Sequence, residues 1–104
     1  MSQFAVYRNA DPASRKLIPC FLDVQSDLIE TLGSRVVVPL IPPERAGALI
    51  DRLMPRLALD DRELVMDTAQ IMGVPACMLG ARVADLSRER PVILAAIDML
   101  THGI

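Results

Sequence analysis

Arg35-Val36-Val37-Val38-Pro39-Leu40 is the stretch whose reading decides the architecture of this chain. Successive β-branched residues are stiff at χ1 and pack well on a pleated surface, so the run predicts a strand. Pro39, Pro42 and Pro43 are expected to end it, because proline offers no N–H to a ladder. Upstream, Leu32-Gly33-Ser34 reads as the turn that leads in. Leu17 to Val24 reads as a second extended segment, where Pro19 predicts an edge position or a bulge. Phe4-Ala5-Val6-Tyr7 is a third β-prone run, and the turn-rich, charged Arg8 to Lys16 that follows predicts a hairpin with a mobile tip.

Downstream, Glu44 to Leu57 reads two ways. Ala46, Leu49, Ile50 and Leu53 fit a helical stripe, while Gly47 and Pro55 interrupt it. Leu57-Ala58-Leu59, Asp60-Asp61 and Glu63-Leu64-Val65-Met66 predict a hairpin, and a further turn is expected at Gly73-Val74-Pro75. From Ser87 the period changes. Ile93, Ile97 and Leu100 recur at helical spacing, with Val92, Ala96 and Met99 widening the face. Either Ser87 caps this helix, or Arg90 does with Pro91 at the first helical position, and Gly103 stops it. The pattern predicts a mainly β, antiparallel domain closed by one C-terminal helix, with residues 1–104 as a single unit.

Composition narrows the function. Hydrophobic residues are 52% and charged residues 23% of the chain, which excludes intrinsic disorder. A net charge of -2 without a basic run, and 3% aromatics with no Trp, disfavour a nucleic-acid binder. Cys20 and Cys77 are too few for a disulfide framework, although one bridge stays open. His102 is the only histidine, so a structural zinc site of four N/S ligands is excluded, and no cofactor motif is present. Asp60-Asp61 reads as a hairpin turn. Asp23, Asp27 and Glu30 have no base or oxyanion donor beside them in sequence. The N-terminal residues lack a signal-peptide pattern, and the longest uncharged stretch, Thr68 to Ala81, is 14 residues, too short to span a membrane. A cytoplasmic protein that binds rather than catalyses is expected.

Phe21-Leu22-Asp23-Val24-Gln25-Ser26-Asp27-Leu28-Ile29, followed by Arg35-Val36-Val37-Val38-Pro39-Leu40, resembles the CcdB toxins of bacterial type II toxin–antitoxin modules. The resemblance extends through Gln3 to Tyr7, Met72-Gly73-Val74-Pro75, Val83 to Ser87 and the terminal Ala96 to Leu100 with Gly103-Ile104. It implies an SH3-like antiparallel β-barrel with a small inserted β-sheet in the Glu44 to Leu64 segment, against the helical stripe there, and one C-terminal α-helix. It also implies a homodimer that binds the A subunit of DNA gyrase, traps the gyrase–DNA cleavage complex and serves plasmid maintenance. A CcdA-like antitoxin neutralises such toxins, and the complex, not the toxin alone, binds operator DNA as a repressor. The rival readings are a MazF-like endoribonuclease toxin, which would need acid/base side chains and a basic groove, and an inactive antitoxin-binding homologue.

By the same resemblance, gyrase-binding positions are Leu28, Ile29, Asp98, Thr101, His102, Gly103 and Ile104. The family's terminal pattern reads Trp-Gly-Ile, where this chain has His102-Gly103-Ile104. A His presents less apolar area than a Trp anchor, so binding is expected to be weaker or differently tuned. Antitoxin-binding positions are Arg8, Asp11, Arg15 and Lys16, in a loop whose net charge of +2 suits an acidic segment.

Overall fold

The computed structural model describes residues 1–48 and 51–103. Strands β1 (Ala5–Asn9), β2 (Cys20–Asp23), β3 (Ser34–Ile41), β4 (Arg56–Ala58), β5 (Glu63–Met66), β6 (Met72–Pro75) and β7 (Leu79–Asp85) precede the helix α1 (Arg90–His102). The seven strands make one antiparallel sheet in the order β4-β5-β3-β2-β1-β7, with β6 also pairing β3. The sheet is curled into a half-barrel, the mainly β architecture that the sequence predicts.

β3 organises the sheet. Along one side it pairs with β2, from Cys20 opposite Leu40 to Asp23 opposite Val37. Its other side is shared, with β6 taking Ser34 to Val37 and β5 taking Leu40 and Ile41. Pro39 therefore does not end the strand. It falls in the gap between the two partners, where its carbonyl accepts the Asp67 N–H at 3.0 Å and its missing N–H breaks no ladder bond.

The alternation of the pleat divides the apolar residues between two clusters. Phe4, Val6, Cys20, Leu22, Val38 and Leu40 pack on one face with Leu57, Leu64, Met66 and the helix residues Ile93 and Ala96. Ala5, Tyr7, Phe21 and Val37 pack on the other, beneath Val74 and Leu79. Burial on both faces explains why β3 reads as a continuous apolar run instead of an alternating one.

Several local expectations change. β2 is an interior strand, and Pro19 lies just outside it, with its carbonyl accepting the Asn9 N–H at 3.0 Å, so neither edge nor bulge is needed. Gly73-Val74-Pro75 is not a turn but part of β6, whose only neighbour is β3, and such an edge strand tolerates both glycine and proline. The turn comes next, as a 3-10 turn at Ala76–Met78. β7 carries no clear strand signal because Val83 is its one β-branched residue and Gly80 interrupts it; a Cβ at Gly80 would stand 3.2 Å from the Arg8 carbonyl oxygen, so glycine permits the close approach of β1 and β7. Between Pro43 and β4 the described residues contain a 3-10 turn, Pro43–Arg45, and no α-helix. Leu49 and Ile50 of the helical stripe lie outside the described residues. The β4–β5 hairpin forms as expected and extends the sheet from the end of β3.

At the start of α1, Ser87 is not the cap. Its N–H donates to Asp85 Oδ1 at 2.8 Å and its hydroxyl donates to the same oxygen, and a 3-10 turn follows at Ser87–Glu89, where the Glu89 N–H donates to the Leu86 carbonyl at 2.9 Å. Nor is Arg90 the cap: Glu89 holds that position, Arg90 is the first helical residue, and Pro91 follows it in the first turn, where no N–H is required. Gly103 ends the helix in the left-handed region, at φ 76, donating to the Met99 carbonyl at 2.8 Å. Leu100, expected on the core stripe, is exposed, because the last turn runs past the cluster that Ile93 and Ala96 fill. Both cysteines are free, Cys20 buried and Cys77 exposed, so they form no bridge.

Candidate functional site

In the run that carries the resemblance, Asp23 to Asp27, the Asp23 and Gln25 side chains turn inward while Asp27 stays exposed. Asp23 is fully buried, with Arg35 Nε 2.7 Å from its Oδ2 and the Gln25 N–H donating to its Oδ1 at 3.0 Å. Gln25, also buried, accepts the Val36 N–H at 2.9 Å and donates to the Ile29 carbonyl at 2.7 Å. Arg35 further donates to the Gln25 carbonyl at 3.3 Å, and the Gln3 N–H donates to Asp27 Oδ1 at 2.9 Å. The hydrogen bond to Asp23 raises the Arg35 pKa above its ordinary value, against the opposing effect of burial.

This inward polar brace turns the aliphatic residues of the loop outward. Leu28 is 94% exposed, Ile29 58% and Leu32 104%. A loop that buries Asp and Gln while displaying Leu and Ile inverts the usual partition of side chains. Leu32 is not among the expected contacts. The signal for it is an aliphatic residue directly before Gly33 in a turn, with no strand or helix to bury it.

A second patch lies at the end of α1, where Asp98, Thr101, His102 and Gly103 are all exposed. The Thr101 hydroxyl donates back to the Ile97 carbonyl at 3.1 Å. His102 Nδ1 lies 2.9 Å from Thr101 Oγ1 and 3.3 Å from the Asp98 carbonyl. Asp98 and His102 line a cleft of about 310 Å³ with Ala95 and Arg52. Ile104 lies outside the described residues. Among the described residues no hydrogen bond or ion pair joins this helix end to the Leu28–Ile29 loop.

The third group is divided. Arg8 lies on β1, exposed, at a cleft of about 290 Å³ that also includes Cys20, Asp61 and Arg62. Burial pushes the Cys20 thiol up, and Arg62 and Arg8 partly oppose it. Asp11 is the hub of a wound turn: its carboxylate accepts the Ala13 N–H at 3.0 Å and the Ser14 hydroxyl at 2.9 Å, and its carbonyl accepts the Arg15 N–H at 3.1 Å. Buried Asn9 ties the turn down by donating to Ser14 Oγ and to the Ile18 carbonyl, both at 2.9 Å. The tip is thus internally hydrogen-bonded, with Arg15 and Lys16 exposed on it.

Among the described residues no group of His, Cys, Asp and Glu is arranged to hold a metal ion, and no helix is long and apolar enough to cross a membrane. A curled antiparallel sheet closed by one helix, with aliphatic side chains displayed on a braced loop, defines a small mainly β protein. Residues 3–103 match the family model described as CcdB protein, and the chain belongs to the CcdB family. Members of that family are type II toxin–antitoxin toxins that poison DNA gyrase by binding, without catalysis of their own.

Proposed function

We propose that this chain is a toxin that binds the A subunit of DNA gyrase through the Leu28–Ile29 loop and the end of α1, and traps gyrase on cleaved DNA. The observation that carries this reading is the 94% exposure of Leu28 on a loop held by buried Asp23 and Gln25. An apolar anchor fixed before contact loses little conformational freedom on binding, so more of its burial appears as affinity. In a homodimer, a twofold axis presents two copies of each patch, and patches separate on one protomer can then serve one partner surface. A CcdA-like antitoxin with a disordered segment neutralises the toxin at Arg8, Asp11, Arg15 and Lys16, and only that complex represses at operator DNA. Asp11 acts there by shaping the turn that displays Arg15 and Lys16. The site of action is the cytoplasm, where gyrase works.

Expression in cells whose gyrase A lacks the toxin-contact surface tests the reading. Toxicity in ordinary cells that disappears in that background, and on removal of His102-Gly103-Ile104, is the expected result. Toxicity that persists there with cleaved RNA would overturn it in favour of a ribonuclease, and no toxicity in either background would identify an inactive homologue.

A further inference from the structure

We infer that Gln3 is a positioning residue for Leu28: a strap made of Ser2, Gln3 and Phe4 clasps the loop and fixes the direction in which Leu28 is displayed. The inference rests on the gyrase reading above and adds to it a part of the chain distant in sequence from both proposed contact patches.

The strap is built around Phe4, the one non-glycine among the described residues with a left-handed backbone, at φ 69. A bulky side chain takes that conformation only where its surroundings hold it there. The Phe4 ring is buried in the cluster that contains Ile93 and Ala96, with the Arg90 guanidinium 5.5 Å from its centroid. Its N–H donates to the Asp23 carbonyl at 2.6 Å, and its own carbonyl accepts the Leu86 N–H at 2.8 Å. Ser2 anchors the other end. The Ser2 N–H donates to the Tyr7 hydroxyl at 3.1 Å, and the Ser2 carbonyl accepts the Ala5 N–H at 3.1 Å.

Gln3, held between these anchors, meets the loop twice. Its Nε2 donates to the Val24 carbonyl at 3.1 Å, and its N–H donates to Asp27 Oδ1 at 2.9 Å. Asp27 directly precedes Leu28. The bonds made by Leu28 and Ile29 themselves are local: the Leu28 N–H donates to Ser26 Oγ at 3.2 Å and the Ile29 N–H to the Ser26 carbonyl at 3.0 Å. Such bonds shape the turn but travel with it. Gln25 ties the loop to β3, whereas the tie to Gln3 acts on the residue next to Leu28, and Arg35 stands farther off, 3.7 Å from the same Asp27 oxygen. Asp27 is 60% exposed, so water replaces its hydrogen bond when the chain unfolds, and the clasp orients the loop more than it stabilises the fold. An anchor already aimed before contact gives up less freedom on binding.

The test uses the full chain with Gln3→Ala, Asp27→Ala and Asp27→Asn, reading the 15N heteronuclear NOE of the loop amides, Tm, and affinity for purified gyrase A by calorimetry, with Gln3→Ala repeated in a Leu28→Ala background. Gln3→Ala and Asp27→Ala are expected to lower the NOE at Leu28 and Ile29, to leave that of the sheet and Tm at parent values, and to weaken binding about fivefold. Asp27→Asn keeps an acceptor for the Gln3 N–H and should recover part of the loss. In the Leu28→Ala background the effect of Gln3→Ala should shrink below about twofold, because the two act as one unit. If the parent binds gyrase A but the loop NOE is unchanged in Gln3→Ala and Asp27→Ala, or the Gln3→Ala loss persists in full without Leu28, the role of Gln3 fails while the gyrase reading stands. A loss of affinity that tracks a fall in Tm would assign the strap to folding alone and overturn the inference. A parent chain that does not bind gyrase A would overturn the gyrase reading and the role assigned to Gln3 with it.

Discussion

Arg35 Nε stands 2.7 Å from Oδ2 of Asp23, a carboxylate whose side chain has no exposed surface. The pair joins the end of β2 to the start of β3 at the root of the loop that displays Leu28. Removing one member of a buried pair leaves an uncompensated charge, which costs about 3–5 kcal/mol. Arg35→Met is therefore expected to lower unfolding free energy by about that amount. Adding Asp23→Asn, which removes the orphaned charge and keeps an acceptor for the Gln25 N–H, should recover a substantial part. Urea denaturation of both single variants and the double variant gives the coupling energy, and additive effects would contradict the pairing.

Asp85 provides a pH-dependent contribution of known sign. The hydroxyl and N–H of Ser87, and more weakly the Arg82 guanidinium, hold its carboxyl below the ordinary carboxylate range. The folded pKa lies below the unfolded one. The stabilisation is therefore complete above the unfolded pKa, about 3.9 for an aspartate, and is lost as pH falls through the folded value. Ser87→Ala is expected to move the Asp85 titration upward toward the ordinary value. Carboxyl NMR titration reads this directly, and an unchanged midpoint would remove Ser87 as its cause.

The two thiols should differ sharply in reactivity. Cys77 is exposed, whereas Cys20 is 7% exposed and its pKa is raised by burial, which lowers the thiolate fraction. Ellman's reagent is expected to titrate one thiol rapidly in the native protein and the second only in denaturant. Cys77→Ser should abolish the fast phase. Fast labelling that survives this substitution would place Cys20 at the surface.

What was legible in the sequence depended on whether the signal was local. The valines of β3, the apolar stripe around Ile93 and Ala96, and Gly103 after the last helical residue each act through neighbouring backbone, and each stands where its local chemistry placed it. Pro39 and Gly73-Val74-Pro75 misled because a proline or glycine breaks a strand only where a ladder bond or packing contact is lost. That depends on which strands lie alongside. The family resemblance points to Leu28 and Ile29, but their outward display follows from Asp23, Gln25 and Arg35 turning inward, a tertiary arrangement.

Because the brace and the display use different residues, stability and binding should separate in the loop. Leu28→Asp and Leu32→Asp change exposed side chains and are expected to leave unfolding free energy within about 0.5 kcal/mol of the parent. Leu28→Asp should nevertheless weaken gyrase A binding by more than about tenfold, as loss of a central apolar anchor does. Leu32→Asp reports how far the contact extends along the loop, with a smaller loss expected if Leu32 lies at the rim. Calorimetric binding together with thermal unfolding checks both, and a Leu28→Asp variant that binds like the parent would remove the loop from the interface.

His102→Trp tests the other patch. The histidine ring is engaged through Nδ1 with Thr101 and the Asp98 carbonyl. Trp replaces the imidazole with an indole that has a single N–H donor and adds a large rigid apolar face of the type that dominates interface hot spots. If the surface relies mainly on apolar burial, the variant should bind gyrase A at least severalfold more tightly than the parent, with unfolding unchanged because the position is exposed. A variant that binds no better would mean that the partner reads the polarity of the His102 ring, and His102→Gln, which can also present an acceptor, should then retain affinity that His102→Ala loses.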